Sequence, residues 1–415
     1  MRKYFELFLL IVVMGFVAYA KTAEQAETPY VILISFDGFR HDYVEKFDTP
    51  NFKEFIAQGA AAESMQPSFP SKTFPNHYSI VTGMYPGSHG LVDNSFFDRE
   101  LDVKYTIGNR ELVENPAFYG GLPLWQLVQH AGMKSASYFW VGSETPIAGR
   151  FPDYYHIYNG KVPNEERIDA VVDWLKLPEE DRPNFISLYF SLVDSQGHAT
   201  GPNSEETRDT VLEADRLLGL LMDQLKEVDL PVNVIITSDH GMNTVPETEE
   251  TLIAYEDVLV HTDPGKYRFV NNGAHGHFYV HDSTDIDELY SQLAANAQHF
   301  KVFKKPELPE KWHFQHERVG EIFITMEPGH YLTSKFRKKV SLARGKNQGQ
   351  HGFDPAATPD MGAIFYANGP NIKAGATIDS FENVHVYPFI AHILGISQWP
   401  EIDGELSVLL PLYVQ

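Results

Sequence analysis

The sequence predicts an α/β protein with a mostly parallel central sheet flanked by helices and a small inserted subdomain. Three observations predict it. First, apolar runs that read as buried strands each end in an aspartate. Val31–Phe36 leads into Asp37-Gly38, Phe185–Val193 into Asp194, and Asn233–Thr237 into Ser238-Asp239-His240-Gly241. Second, helical patterns alternate with these runs, as in a parallel sheet covered on both faces. Third, this rhythm changes between about residues 247 and 346 and then resumes.

The elements follow in order. Thr49-Pro50-Asn51, with Phe52, Phe55 and Ile56 behind it, reads as a capped helix ending near Gly59. Three prolines fix the loop from Met65 to Pro75, and Asn76–Val81 then reads as a helix stopped by Gly83. Thr73 falls at or just before that helix, a position suited to anions, though on these residues alone an ordinary cap is the preferred reading. Residues 95–120 read as a surface excursion and 142–160 as a loop. Leu122–Ala131 and Glu165–Leu177 read as helices, and Ser135–Trp140 as a strand. Thr207–Val228 is the clearest helix, with Val211, Leu212, Leu218, Leu221 and Leu225 in one apolar stripe. In the inserted stretch, His277–His281, Glu321–Thr325 and Tyr331 read as short strands. Met361–Ala367 reads as a returning strand and Tyr387–Leu394 as the last helix. The expected division is a leader over 1–20, catalytic segments over 21–246 and 347–415, and an insert over 247–346.

The 415 residues carry 33 basic and 56 acidic side chains, a net charge of -23. That balance argues against binding nucleic-acid duplexes or anionic lipid, while metal ions could still reverse the local potential for an anionic substrate. With no cysteine, disulfides and a lipid-modified cysteine are excluded, and any zinc must be held by His, Asp, Glu or a hydroxyl. Met1-Arg2-Lys3, the apolar stretch Phe5–Val17 and Ala18-Tyr19-Ala20 read as a secretory signal peptide cleaved before Lys21. The expected location is periplasmic or secreted, with no membrane attachment after cleavage.

Three aspartates delivered to one sheet edge would repel one another unless a cation sat between them. A second His-Gly, His351-Gly352, lies in a Gly-rich loop before the last strand. The candidate ligands are Asp37, Thr73, Asp194, His198, Asp239, His240 and His351. Seven such groups suit two zinc ions better than one. Paired metals clamp the attacking and leaving oxygens of an in-line displacement, which is phosphoester chemistry. Each piece alone is also consistent with a turn or a solvated histidine; the repetition carries the reading.

The segments ISFDGFR, FPSKTFPNHYSIVTGMYPGSHGLVDN, SLVDSQGHATGP, ITSDHGM and GQHGFDP occur in this order. Together they resemble the nucleotide pyrophosphatase/phosphodiesterase family of the alkaline phosphatase superfamily, over most of the chain after residue 20. The resemblance implies an alkaline phosphatase-like sandwich with two zinc ions at the strand ends. Asp194, His198 and His351 would hold one; Asp37, Asp239, His240 and the Thr73 oxygen the other. Thr73 would be the nucleophile, forming a phospho-threonine intermediate that water releases. Asn94 and the Thr73 and Phe74 backbone N–H groups would bind a phosphoryl oxygen. Phe74 would stack on one face of a nucleotide base and Tyr158 on the other, with Tyr154 and Tyr155 as rivals for that place. Val141 stands where the family usually has Pro, and Pro355 where many members have Asn. The implied activity is hydrolysis of nucleotide phosphodiester and pyrophosphate bonds. The alternatives are another phosphoester with the same chemistry, or a non-catalytic metal-binding protein, for which an intact Thr73 would be superfluous.

Overall fold

The structure, a computed structural model, describes residues 29–415; the leader and the polar stretch after it lie outside the described residues. Eight strands form the main sheet: β1 (Tyr30–Phe36), β2 (Ala60–Ala62), β3 (Ser135–Tyr138), β4 (Tyr154–His156), β5 (Phe185–Phe190), β6 (Val232–Thr237), β7 (Phe365–Asn368) and β8 (Ala376–Ile378). Their order is β8-β2-β7-β6-β1-β5-β3-β4. The central strand β1 runs parallel to both β5 and β6, and β3 runs parallel to β5 and β4. Only β7 runs against its neighbours β6 and β2.

The near-continuous apolar runs have a simple cause. Every residue of β1 and β5 is buried, because both faces of the sheet are covered. Val31 and Leu33 point into one core, Ile32, Ile34 and Phe36 into the other, as the two-residue repeat of a strand requires. The first core is closed by α2 (Thr73–Thr82), α3 (Leu124–His130) and α7 (Val386–Ile393). The second is closed by α1 (Pro50–Gln58), α4 (Asn164–Leu175) and α6 (Glu205–Leu225). Ser204 caps α6 by accepting the Thr207 N–H at 3.1 Å. Val211, Leu218 and Leu221 of its stripe are buried, each contributing about 1.5–3 kcal/mol.

Four expectations need correction. The run Phe185–Val193 is not one strand: β5 ends at Phe190 and α5 (Leu192–Thr200) follows, since a short buried apolar run does not distinguish strand from helix. Residues 359–361 form a single helical turn and β7 begins only at Phe365. The stretch 142–160, read as loop, contains the edge strand β4. Residues 95–120 are not a mere surface excursion: Ser95–Asp98 pairs with Val103–Thr106, and Phe96, Tyr105 and Phe118 are fully buried.

Between residues 247 and 346 lies a four-stranded antiparallel sheet, in the order Tyr267–Asn271, His275–Val280, Ile322–Met326, Phe300–Lys304. The helix Ile286–Ala295 contributes Leu289 and Leu293 to its core, which also takes in Phe353 and Met361 from the final segment. Among the described residues no helix is long and apolar enough to cross a membrane.

Candidate metal centre and active-site cleft

The register of the sheet sets the site. Ser35 is level with both Tyr189 and Thr237, so three chain segments leave the carboxyl edge side by side. Asp37 follows β1 directly, and the next residue, Gly38, turns at φ +69°. A Cβ there would stand 2.8 Å from the Asp194 Cα, so only glycine lets the turn approach so closely. The Gly38 N–H donates to Asp239 Oδ1 at 3.1 Å, and the Asp194 N–H donates to the Asp37 carbonyl at 3.0 Å. Asp194 and His198 share one face of α5 through their four-residue spacing. His240 follows β6, and His351 arrives on the loop before β7.

These groups converge. His198 Nε2 lies 3.4 Å and His351 Nε2 3.8 Å from Asp194 Oδ1. His240 Nε2 lies 2.9 Å from Asp239 Oδ2 and 3.7 Å from Asp37 Oδ1. The Thr73 hydroxyl stands 3.4 Å from His240 Nε2. The His240 and His351 rings stack with centroids 3.6 Å apart.

The donor set fits divalent cations. Each imidazole gives its Nδ1 proton to a carbonyl at 2.8 Å: His198 to Gly349, His240 to Gly241, His351 to Ser71. Each Nε2 therefore presents a lone pair, the tautomer that second-shell carbonyls fix in metal sites. The lone pairs face Asp37 Oδ1, Asp194 Oδ1 and Asp239 Oδ2, three buried oxygens without a hydrogen-bond partner. Acceptor faces acceptor throughout, an arrangement that a positive ion resolves. Asp194, His198 and His351 bring one ligand atom each within 4.8 Å of one another, as do Asp37, Asp194 and His240. Burial, Asp239 and Asp194 push Asp37 well above the carboxylate range, and burial and Asp194 push Asp239 up to about 8. Burial pushes His240 and His351 down, so neither supplies the missing charge.

Thr73 is the first residue of α2, three residues earlier than the sequence places the helix start; Lys72 holds the cap position without a side-chain cap bond, and the Thr73 hydroxyl faces His240. Beside it opens a cleft of about 390 Å³. Phe74 and Tyr158 both line it, as do Ile107, Arg110, Val141 and Glu144. Glu144 accepts the Tyr158 N–H at 2.8 Å and pairs with Arg110 at 2.6 Å. The rivals of Tyr158 are used elsewhere: Tyr155 stacks on Phe151 at 4.7 Å and Tyr154 donates to the Asp181 carbonyl. Val141, where the family resemblance leads one to expect Pro, lines the cleft.

One expected donor is already engaged. The Phe74 N–H donates to Asn94 Oδ1 at 2.9 Å, so it is not free for a phosphoryl oxygen. That bond leaves the Asn94 amide nitrogen as the donor at this corner.

Sequence reasoning missed four supporting side chains. Tyr189 donates to Asp37 Oδ2 at 2.6 Å. His77 is buried with Ser35 at 2.8 Å on one nitrogen and the Thr73 carbonyl at 2.9 Å on the other. Lys72, also buried, donates to the His351 carbonyl at 2.9 Å. Asp93 accepts the Asn94 N–H at 2.7 Å. Lys72 and Asp93 directly adjoin Thr73 and Asn94, and His77 lies one helical turn after Thr73, which is the signal that could have found them; Tyr189 needed the strand register.

Residues 31–354 match the family described as type I phosphodiesterase / nucleotide pyrophosphatase. Ectonucleotide pyrophosphatase/phosphodiesterase family member 1 of Mus musculus is 38% identical over 409 residues, covering 93% of this chain and 43% of that protein. A venom phosphodiesterase of Macrovipera lebetinus is 35% identical over 401 residues, covering 92% of this chain and 46% of that protein. The chain thus spans about half the length of the curated relatives it matches. A structure of murine ectonucleotide pyrophosphatase/phosphodiesterase 5, an inactive variant in complex with AMP, superposes with a TM-score of 0.85. It is 30% identical, and the match covers 93% of this chain and all of that one. With the family match running through every segment that carries the candidate ligands, the chain belongs to the type I phosphodiesterase / nucleotide pyrophosphatase family.

Proposed function

We propose that the protein hydrolyses phosphodiester and pyrophosphate bonds of nucleotides, releasing nucleoside 5′-monophosphates through a covalent intermediate on Thr73. One observation carries the reading: a hydroxyl at the open start of a helix stands between three unpartnered carboxylate oxygens and an aromatic cleft. The murine relative bound to AMP supports the choice of nucleotides over other phosphoesters.

Two zinc ions, one held by Asp194, His198 and His351 and the other by Asp37, Asp239, His240 and the Thr73 oxygen, would supply the charge that stabilises an alkoxide and a departing oxygen. The chain does the rest. Phe74 and Tyr158 grip the base, which leaves the α-phosphorus beside Thr73. The Thr73 oxygen attacks it and the bond to the group beyond breaks, so ATP gives AMP and pyrophosphate. Water then cleaves the threonine ester from the opposite side. The Asn94 amide donates to the phosphoryl oxygen as its charge grows. Asn94→Ala is therefore expected to lower kcat by about 10²–10³-fold with little change in KM, measured by steady-state kinetics on a nucleotide nitrophenyl ester. A change confined to KM would make Asn94 a ground-state binding group.

Stacking on a base is worth about 1–3 kcal/mol. Phe74→Ala and Tyr158→Ala are each expected to raise KM for nucleotides by about 5–150-fold while barely changing hydrolysis of bis-(p-nitrophenyl) phosphate. Equal losses on both substrates would show that the rings only support the site. Purine nucleotides should outperform pyrimidine ones through their larger stacking area. Preference for p-nitrophenyl phosphate over the diester would instead favour a phosphomonoester substrate.

The signal-peptide reading places the protein in the periplasm or outside the cell. N-terminal sequencing of the exported protein is expected to begin at Lys21; material still beginning at Met1 would contradict cleavage.

A further inference from the structure

The strand His275–Val280 is central in the inserted antiparallel sheet, paired on both sides. His275 and His277 are two residues apart and so share one face. Both reach Asp93, and all three side chains are fully buried. Asp93 Oδ2 accepts from His275 Nε2 at 2.5 Å and from His277 Nε2 at 3.0 Å. The other carboxylate oxygen accepts the Asn94 N–H. The Gly320 N–H donates to His277 Nδ1 at 3.4 Å, which leaves the His277 proton on the nitrogen facing Asp93. His275 Nδ1 lies 3.1 Å from the carbonyl oxygen of Gly352, and Gly352 directly follows His351.

These separations are those of hydrogen bonds. With its proton on the nitrogen that faces Asp93, His277 has no lone pair to offer a cation there, so the cluster is read as a clamp and not as a third metal centre. Burial alone would raise Asp93, but the two imidazoles override it and hold its carboxyl below the usual range.

We propose that His275 is a positioning residue that locks the phosphoryl-binding amide and a metal-ligand loop to one another. Through Asp93 it fixes the backbone of Asn94, whose side chain is held in turn by the Phe74 N–H. Through Gly352 it fixes the loop that presents His351. The inserted sheet thereby acts as the rigid floor of the active site. This inference rests on the roles proposed above for Asn94 and Thr73.

A double-mutant cycle tests it, using zinc-saturated full-length protein and a nitrophenyl ester of thymidine 5′-monophosphate. His275→Ala is expected to lower kcat by about 10–100-fold, as loss of an outer-shell partner does, with KM within about two-fold of wild type. In the Asn94→Ala background the same substitution should cost less than about three-fold, because the arm through Asp93 has lost its target and saturating zinc holds the His351 loop in place. His275→Gln, whose amide keeps a donor toward Asp93, should recover part of the loss. Zinc should leave His275→Ala faster than wild type when a chelator is added, and leave His277→Ala at the wild-type rate. If His275→Ala does not fold, His277→Ala takes its place in the cycle, since it removes one arm on Asp93 and leaves Gly352 untouched.

An equal fold-loss in both Asn94 backgrounds would overturn the link to Asn94. Unchanged zinc release from His275→Ala would overturn the link to the His351 loop. Failure of the underlying reading shows separately, as turnover that survives Thr73→Ala.

Discussion

Thr73→Ala is expected to lose turnover by on the order of 10⁴–10⁶-fold, the scale set by removing the nucleophile from a covalent mechanism. The substitution deletes one hydroxyl from the first residue of α2. That hydroxyl faces His240 and not the helix backbone, so the helix and the sheet should keep their stability, measured as an unchanged Tm. Thr73→Ser should keep part of the activity, because the oxygen survives while the methyl that restricts its rotamer is gone. An Ala variant with near-wild-type kcat would mean that water attacks phosphorus directly, and the covalent route would be wrong.

Removing bound metal is expected to abolish activity, with recovery when zinc is added back. It should also leave a signature in stability against pH. Asp37 lies well above the carboxylate range and Asp239 is pushed up to about 8, while both titrate near the ordinary value when the chain unfolds. Below about pH 6.5 the buried histidines, pushed down on folding, offset this; between about pH 6.5 and pH 8 the two carboxylates act without that offset, and the folded metal-free protein binds more protons than the unfolded chain. Its stability should fall as pH rises through that window, because the buried acids must then ionise beside one another. Metal-loaded protein should show a flatter profile, since the ions compensate the carboxylates. Thermal melts with and without chelator, from pH 5 to pH 8.5, measure the difference. Identical profiles and undiminished turnover in chelator would remove the metal centre from the account.

Much of this was legible in the sequence because buried parallel strands leave a plain mark. Val31–Phe36 and Asn233–Thr237 must bury both faces, so they appear as unbroken apolar runs, and the acids behind them stand out. The candidate ligand positions were read from that pattern and from the family resemblance together, and the structure brings their side chains to one place. The start of α5 was not legible. Leu192 and Val193 continue the apolar run of β5, and the chain changes from strand to helix at Ser191, where φ is -102° and ψ is 0°. No composition signal marks that change. The direction of β7 was hidden for a similar reason: a short buried strand reads alike in either direction, and only its pairing with β6 sets it against the sheet. The clamp on Asn94 was hidden because its parts lie 182 and 184 residues apart. His275 and His277 read as ordinary strand residues until the insert is folded against the loop carrying Asp93.

The central claim is attack at the α-phosphorus by Thr73 followed by a second displacement by water. It is tested most directly by hydrolysing one diastereomer of adenosine 5′-O-(1-thiotriphosphate) in oxygen-18 water. Two successive in-line displacements predict labelled adenosine 5′-thiomonophosphate with its configuration at phosphorus retained. Inverted configuration, or a thiodiphosphate product from attack at the terminal phosphate, would contradict the account.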